Sequence, residues 1–112
     1  MIKRYLATKD NTITNAYQEN LNTRATGSNM GASDVLEVFS IYGQQSSGST
    51  EVARTLIQFD TDEIATDRTN SAIGDSGSMS WYLKLYNAPH SSTTPSNYKL
   101  VVAPISADWE EG

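Results

Sequence analysis

An all-β fold, an antiparallel β-sandwich or jelly roll, follows from three features of the sequence. Apolar and polar residues alternate in several short runs. The clearest is Met79–Asn87, where Met79, Trp81, Leu83 and Leu85 interleave with Ser80, Tyr82, Lys84 and Tyr86. A side-chain period of two marks a strand with one buried face. The runs are separated by stretches rich in Ser, Thr, Asn and Gly, which favour turns over helix interiors. No segment carries a long helical pattern, and many short strands with such turns argue for a sandwich. The length of 112 residues fits one domain spanning 1–112.

The elements can be justified in order. A first strand is expected near Tyr5–Thr8, then a turn at Lys9-Asp10-Asn11, then Thr12–Thr14. Residues 15–32 read as a long loop with turn chemistry at Gly27 and Gly31 and one helical turn at Gln18–Leu21. Asp34–Tyr42 holds Val, Ile, Phe and Tyr on both faces, the pattern of a central or doubly covered strand. Gly43–Thr50 is a Gln/Ser/Gly connection. Glu51–Phe59 is the next strand. Ala53, Thr55, Ile57 and Phe59 share the face that reads as core, and Val52, Arg54, Leu56 and Gln58 share the other. Asp60–Thr66 fits a short helix or turn capped by Asp60 or Thr61. Asp67–Ser78 is a polar loop, Met79–Asn87 a half-buried strand and Pro89–Pro95 a loop. Tyr98–Ala103 is the last strand, ended by Pro104.

Composition narrows the function. Net charge is -5, and the 8 basic residues are scattered, with only Lys3 and Arg4 adjacent. A phosphate-binding surface needs clustered cations, so nucleic acid is not an expected partner. The chain has no Cys, which excludes disulfides and thiolate-zinc sites. No window has the length and apolarity of a membrane span, and the amino terminus lacks the apolar core of a secretory signal. With Met1 as the natural start, the product is expected to be made and kept in a cytoplasm unless it leaves within a particle.

Several clusters invite a chemistry, and each has a plainer reading. Gly74-Asp-Ser-Gly-Ser78 resembles the nucleophile loop of a serine protease, but the sole His, His90, follows Ser76 in the wrong order for that family. We read the cluster as a polar turn. Asp60, Asp62, Glu63 and Asp67 offer hard oxygen ligands of the kind calcium takes, without the Gly of an EF-hand loop. Capping and solvation is the reading we adopt, and no metal site is assigned. Asp10 and Asn11 are taken as turn residues in the same way. Glu110 and Glu111 beside Trp109 suggest a sugar site, but adjacent residues of a strand face opposite ways. Trp109 is therefore expected to pack across a sheet edge. No catalytic residue is assigned.

The order of the motifs adds a family. Asp10-Asn-Thr-Ile13 follows a short strand. Asn29-Met-Gly31 and Ser33 follow in a loop, then Arg54-Thr-Leu-Ile-Gln-Phe-Asp60, Leu83-Lys-Leu-Tyr86 and finally Trp109-Glu-Glu-Gly112. In this order they resemble the DNRLRE-type domain, a jelly-roll module related to a carbohydrate-binding module family. Such domains occur in secreted bacterial surface proteins and in virion proteins of tailed phages, marine ones especially. The resemblance spans nearly the whole chain. It implies a jelly-roll β-sandwich with a binding or structural role and does not by itself imply an enzyme; a non-enzymatic protein is expected.

Two departures shape the expectation. The Trp-x-Glu-Gly element usually lies inside such a domain, whereas here it ends at Gly112, so the sandwich is expected to be incomplete at its C-terminus: either residues 1–112 are the front part of a larger domain, or another chain completes the sandwich. Secreted members carry signal peptides, which favours the phage over the secreted setting. The expected function is a head decoration, cement or tail-assembly subunit of a virion. Its expected partners are other subunits, copies of itself included. The alternative is a module that recognises acidic polysaccharide, for which calcium is the cofactor to consider. The expected contact surface is the aromatic stripe Tyr82, Lys84 and Tyr86, because aromatic residues are enriched at interfaces. Arg54 joins it as a residue that either pairs with a carboxylate across the sheet or reaches a neighbouring subunit.

Overall fold

Three strands build one antiparallel sheet: β1 (Ala7–Thr14), β2 (Phe39–Gly43) and β3 (Ser49–Phe59). The computed structural model describes residues 1–43, 49–93 and 96–112. The longest strand, β3, lies in the middle, in the order β1-β3-β2. Its β-branched and aromatic residues suit a pleated strand that pairs on both sides. Thr12 stands opposite Thr55, Thr14 and Phe39 opposite Ala53, and Ile41 opposite Glu51. The register of β1 shifts between Ala7 and Lys9. That bulge leaves Thr8 to bond the Gln58 carbonyl through its hydroxyl, at 3.3 Å.

The core is small and centred on this sheet. On the face read as core, Ala53 is buried and Thr55, Ile57 and Phe59 are half-buried; on the other face Arg54 and Gln58 are exposed, but Val52 and Leu56 are half-buried too, so both faces are partly covered. Thr12 and Ala53 are each only 2% exposed. Their cover is the segment before β2. The Glu37 N–H donates to the Thr12 hydroxyl at 3.0 Å, and the Thr55 hydroxyl donates to the Glu37 carbonyl at 3.4 Å.

Those two bonds explain the first difference from expectation. The strand expected over Asp34–Tyr42 begins only at Phe39, because residues before it cross the sheet face and use threonine hydroxyls instead of a ladder. The turn expected at Lys9-Asp10-Asn11 is also absent; β1 runs straight through it. Asp and Asn favour turns when their polar groups have no better partner. Here the Asp10 N–H and the Asn11 amide are both taken up by the chain terminus. The middle of the Gly43–Thr50 connection lies outside the described residues. Gln18–Leu21 closes a single turn, with Leu21 N–H to Gln18 carbonyl at 2.8 Å.

One helix, α1 (Thr61–Thr69), follows β3 and runs further than expected. Asp60 is its N-cap, accepting from the N–H groups of Asp62 and Glu63 at 2.9 and 3.2 Å. Asp62 and Glu63 sit in its first turn and Arg68 in its last, as the helix dipole favours. A three-residue 3-10 turn, Ser76–Ser78, comes next.

The two strands expected after it do not form. Residues 79–87 and 98–103 carry neither helix nor ladder among the described residues. Alternation dictates which side chains share a face, but a strand also needs a partner for its backbone groups. The resulting fold is β-rich with little helix and contains one three-stranded antiparallel sheet; among the described residues no second sheet faces it.

Candidate functional site

Residues 80–87 are all exposed. The alternation in sequence survives as alternation in exposure: Leu83 is 44% exposed, while Tyr82 and Tyr86 are 89% and 81% exposed. The Lys84 ammonium lies 4.7 Å from the centre of the Tyr86 ring, a cation-π distance. The structure therefore places Tyr82, Lys84 and Tyr86 on one outward row. Arg54 is exposed on β3 opposite Ile13, and among the described residues neither a hydrogen bond nor an ion pair links it to that row or to a carboxylate.

The start of this segment is held by the amino-terminal arm. The Tyr5 ring lies 6.2 Å from Trp81, and its hydroxyl donates to the Asp67 carboxylate at 2.8 Å. Lys3 pairs with the same oxygen at 2.7 Å. The hydrogen bonds from Lys3, then Tyr5, hold the Asp67 carboxyl below the usual aspartate range, and the bond to Asp67 raises Lys3 above the usual lysine value. Burial, with Asp67 second, pushes the Tyr5 hydroxyl up. Asp67, read from sequence as a loop residue and a calcium candidate, thus sits on α1 and anchors the arm.

A second junction joins the chain end to β1. Asn11 is 7% exposed, and its amide Nδ2 donates to the Glu111 carbonyl at 3.0 Å, with the Glu110 carbonyl and Asn29 Oδ1 at 3.5 and 3.4 Å. The Asp10 N–H donates to the Glu111 carboxylate at 3.2 Å. Asn29 Oδ1 also accepts from the Gly31 N–H at 2.9 Å, folding the loop back on itself. Gly31 packs so closely that a Cβ there would collide with the Glu111 carbonyl. Trp109 is half-buried beside Lys9, whose ammonium lies 5.9 Å from the ring centre. An open, polar groove runs past Lys9 to Gln58 and Asp60.

The remaining candidates have local partners. The Ser78 N–H and hydroxyl both bond the Asp75 carbonyl, so Gly74–Ser78 is a turn. A ring nitrogen of His90 meets the Asn87 amide at 3.2 Å. Among the described residues, no group of three or more His, Asp or Glu gathers to hold a metal, and no helix is long and apolar enough to cross a membrane. The sequence reading missed both junctions. Their residues are spread from Lys3 to Glu111, though Asn29-Met-Gly31 and Trp109–Gly112 were each visible as motifs.

The chain as a whole is open. A compact monomer of 12.3 kDa exposes about 6,100 Å², whereas this chain exposes 9465 Å². Its radius of gyration is 17.9 Å, against about 13 Å for a compact domain of this length. Set against family models, curated proteins and solved structures, the sequence gives no match.

Proposed function

We propose that this protein is a non-enzymatic structural subunit of a tailed-phage virion, a head decoration or cement protein or a tail-assembly component, acting through protein–protein interfaces. In this reading the jelly roll implied by the motif order is completed in the assembly. The observation that carries the reading is the exposed area. About 3,400 Å² beyond the compact value is uncovered, and it includes the apolar and aromatic side chains of 79–87 and 98–102. Exposed apolar surface of this kind marks interaction sites. The partners are other virion subunits, and the site of action is the particle assembled in a host cytoplasm.

The polysaccharide-binding alternative has one observation of its own: Lys9, whose ammonium lies 5.9 Å from the Trp109 ring centre, lines an open polar groove, where a sugar's acid group finds a cation. The test is the isolated chain. Light scattering after gel filtration is expected to find a defined multimer, and alginate affinity electrophoresis no retardation. A monomer retarded by alginate refutes the virion reading.

A further inference from the structure

We propose that the partner for residues 79–87 is a second copy of this chain, and that the segment adds as a strand to the open edge of β2 in that copy. The inference deepens the assembly role above and rests on it.

The chain holds both halves of the required contact. The donor, Met79–Asn87, has the two-residue alternation of a strand yet no ladder of its own among the described residues. The acceptor, β2, pairs among the described residues only with β3 and forms one edge of the sheet. An uncovered edge presents a row of backbone donors and acceptors, and extended segments bind such edges through main-chain bonds. The other edge, β1, is less available, because the Glu111 carboxylate occupies the Asp10 N–H. A foreign partner would have to bring an edge for the donor and a strand for the acceptor. A second copy brings both, and reciprocal exchange about a two-fold axis satisfies both chains at once.

Area and charge agree. An obligate homodimer buries about 1,000–2,500 Å² on each subunit, which the roughly 3,400 Å² of surplus surface accommodates. Lys84 is the only charged residue of the donor, and β2 has none; the approach to β2 carries the exposed acids Asp34 and Glu37. A donor bearing one cation thus meets an edge flanked by anions, in a chain whose net charge of -5 would otherwise oppose self-association.

The absence of native Cys makes the test direct. Lys84→Cys and Ser40→Cys variants of the full chain are prepared separately, mixed, and oxidised. A disulfide-linked pair containing one of each is expected, well above what either variant forms alone. In parallel, Tyr82→Pro removes a ladder donor from the segment. It is expected to halve the particle mass in light scattering while circular dichroism stays that of the parent, because 79–87 joins no ladder among the described residues of its own chain. A multimer that persists in Tyr82→Pro, with no mixed disulfide, overturns the strand exchange and leaves the assembly reading standing. A parent chain that is monomeric and binds alginate overturns both.

Discussion

Replacing Gly31 by Ala tests the junction between the loop and the chain end. Gly31 does not have a positive φ, so the substitution introduces no backbone strain. The added Cβ collides with the Glu111 carbonyl, which is backbone, and also crowds Asn29 Oδ1 at 3.3 Å. The terminus must therefore move. Two bonds go with it: Asn11 amide to Glu111 carbonyl at 3.0 Å, and Asp10 N–H to Glu111 carboxylate at 3.2 Å. A neutral bond contributes about 1 kcal/mol and a charge-assisted one about 1.5 kcal/mol at its lower end, so the loss is about 2–3 kcal/mol. Against a urea dependence of about 1.5 kcal/mol/M, the unfolding midpoint falls by about 1–2 M. Hydrogen exchange at the Asp10 amide should quicken by at least about tenfold, since about 1.4 kcal/mol of lost protection is a factor of ten. Gly27 supplies the control. Nothing lies within 4 Å of a Cβ there, and Gly27→Ala is expected to be neutral or to stabilise by up to about 1 kcal/mol. Equal midpoints for the two variants, with Asp10 exchange unchanged, would refute the reasoning.

Three further outcomes follow from individual contacts. Asp60→Ala should cost about 1 kcal/mol and reduce the helical signal at 222 nm, because it removes the acceptor for two N–H groups of a helix with no buried residue; an unchanged spectrum and midpoint would contradict this. Asn11→Asp places a carboxylate among oxygens at 3.0–3.5 Å, so at neutral pH it should destabilise by at least about 1–3 kcal/mol, more than Asn11→Ala. Chemical denaturation of the two variants decides it. The arm contact should also titrate. The Asp67 carboxyl is depressed in the fold, so its contribution is fully present above the ordinary aspartate value of about 4 and is lost as pH falls through the lower folded value. Lys3 is raised, so its contribution is present below about 10.4 and fades only as pH rises through the higher folded value. Nuclear magnetic resonance of the Tyr5 ring should report release at the acid end in the parent and at neutral pH in Asp67→Ala.

Legibility in the sequence divided along the range of the interactions. Glu51–Phe59 was visible because β-branched and aromatic residues alternate there, and its register with two neighbours buries Ala53 on the face the pattern assigned to the core. The Asp60 cap was visible because capping acts within three residues. The N-terminal strand was misread where Asp10 and Asn11 imitate a turn, since the groups that satisfy them lie about a hundred positions away. Met79–Asn87 alternates as clearly as Glu51–Phe59 yet joins no ladder among the described residues, because alternation assigns a face within a strand and says nothing about which strands meet.

By itself the sequence determined local matters: which residues alternate, where the helix starts, how little cationic charge and no thiol the chain has to offer. Tertiary structure decided the pairing. It set β3 in the middle, ran the chain of Glu37 across Thr12 and Thr55, tied Glu111 to Asn11, and left Met79–Asn87 with a strand's periodicity and no ladder partner among the described residues. The physical reason is that side-chain period is a property of one segment, whereas a backbone ladder is a property of two.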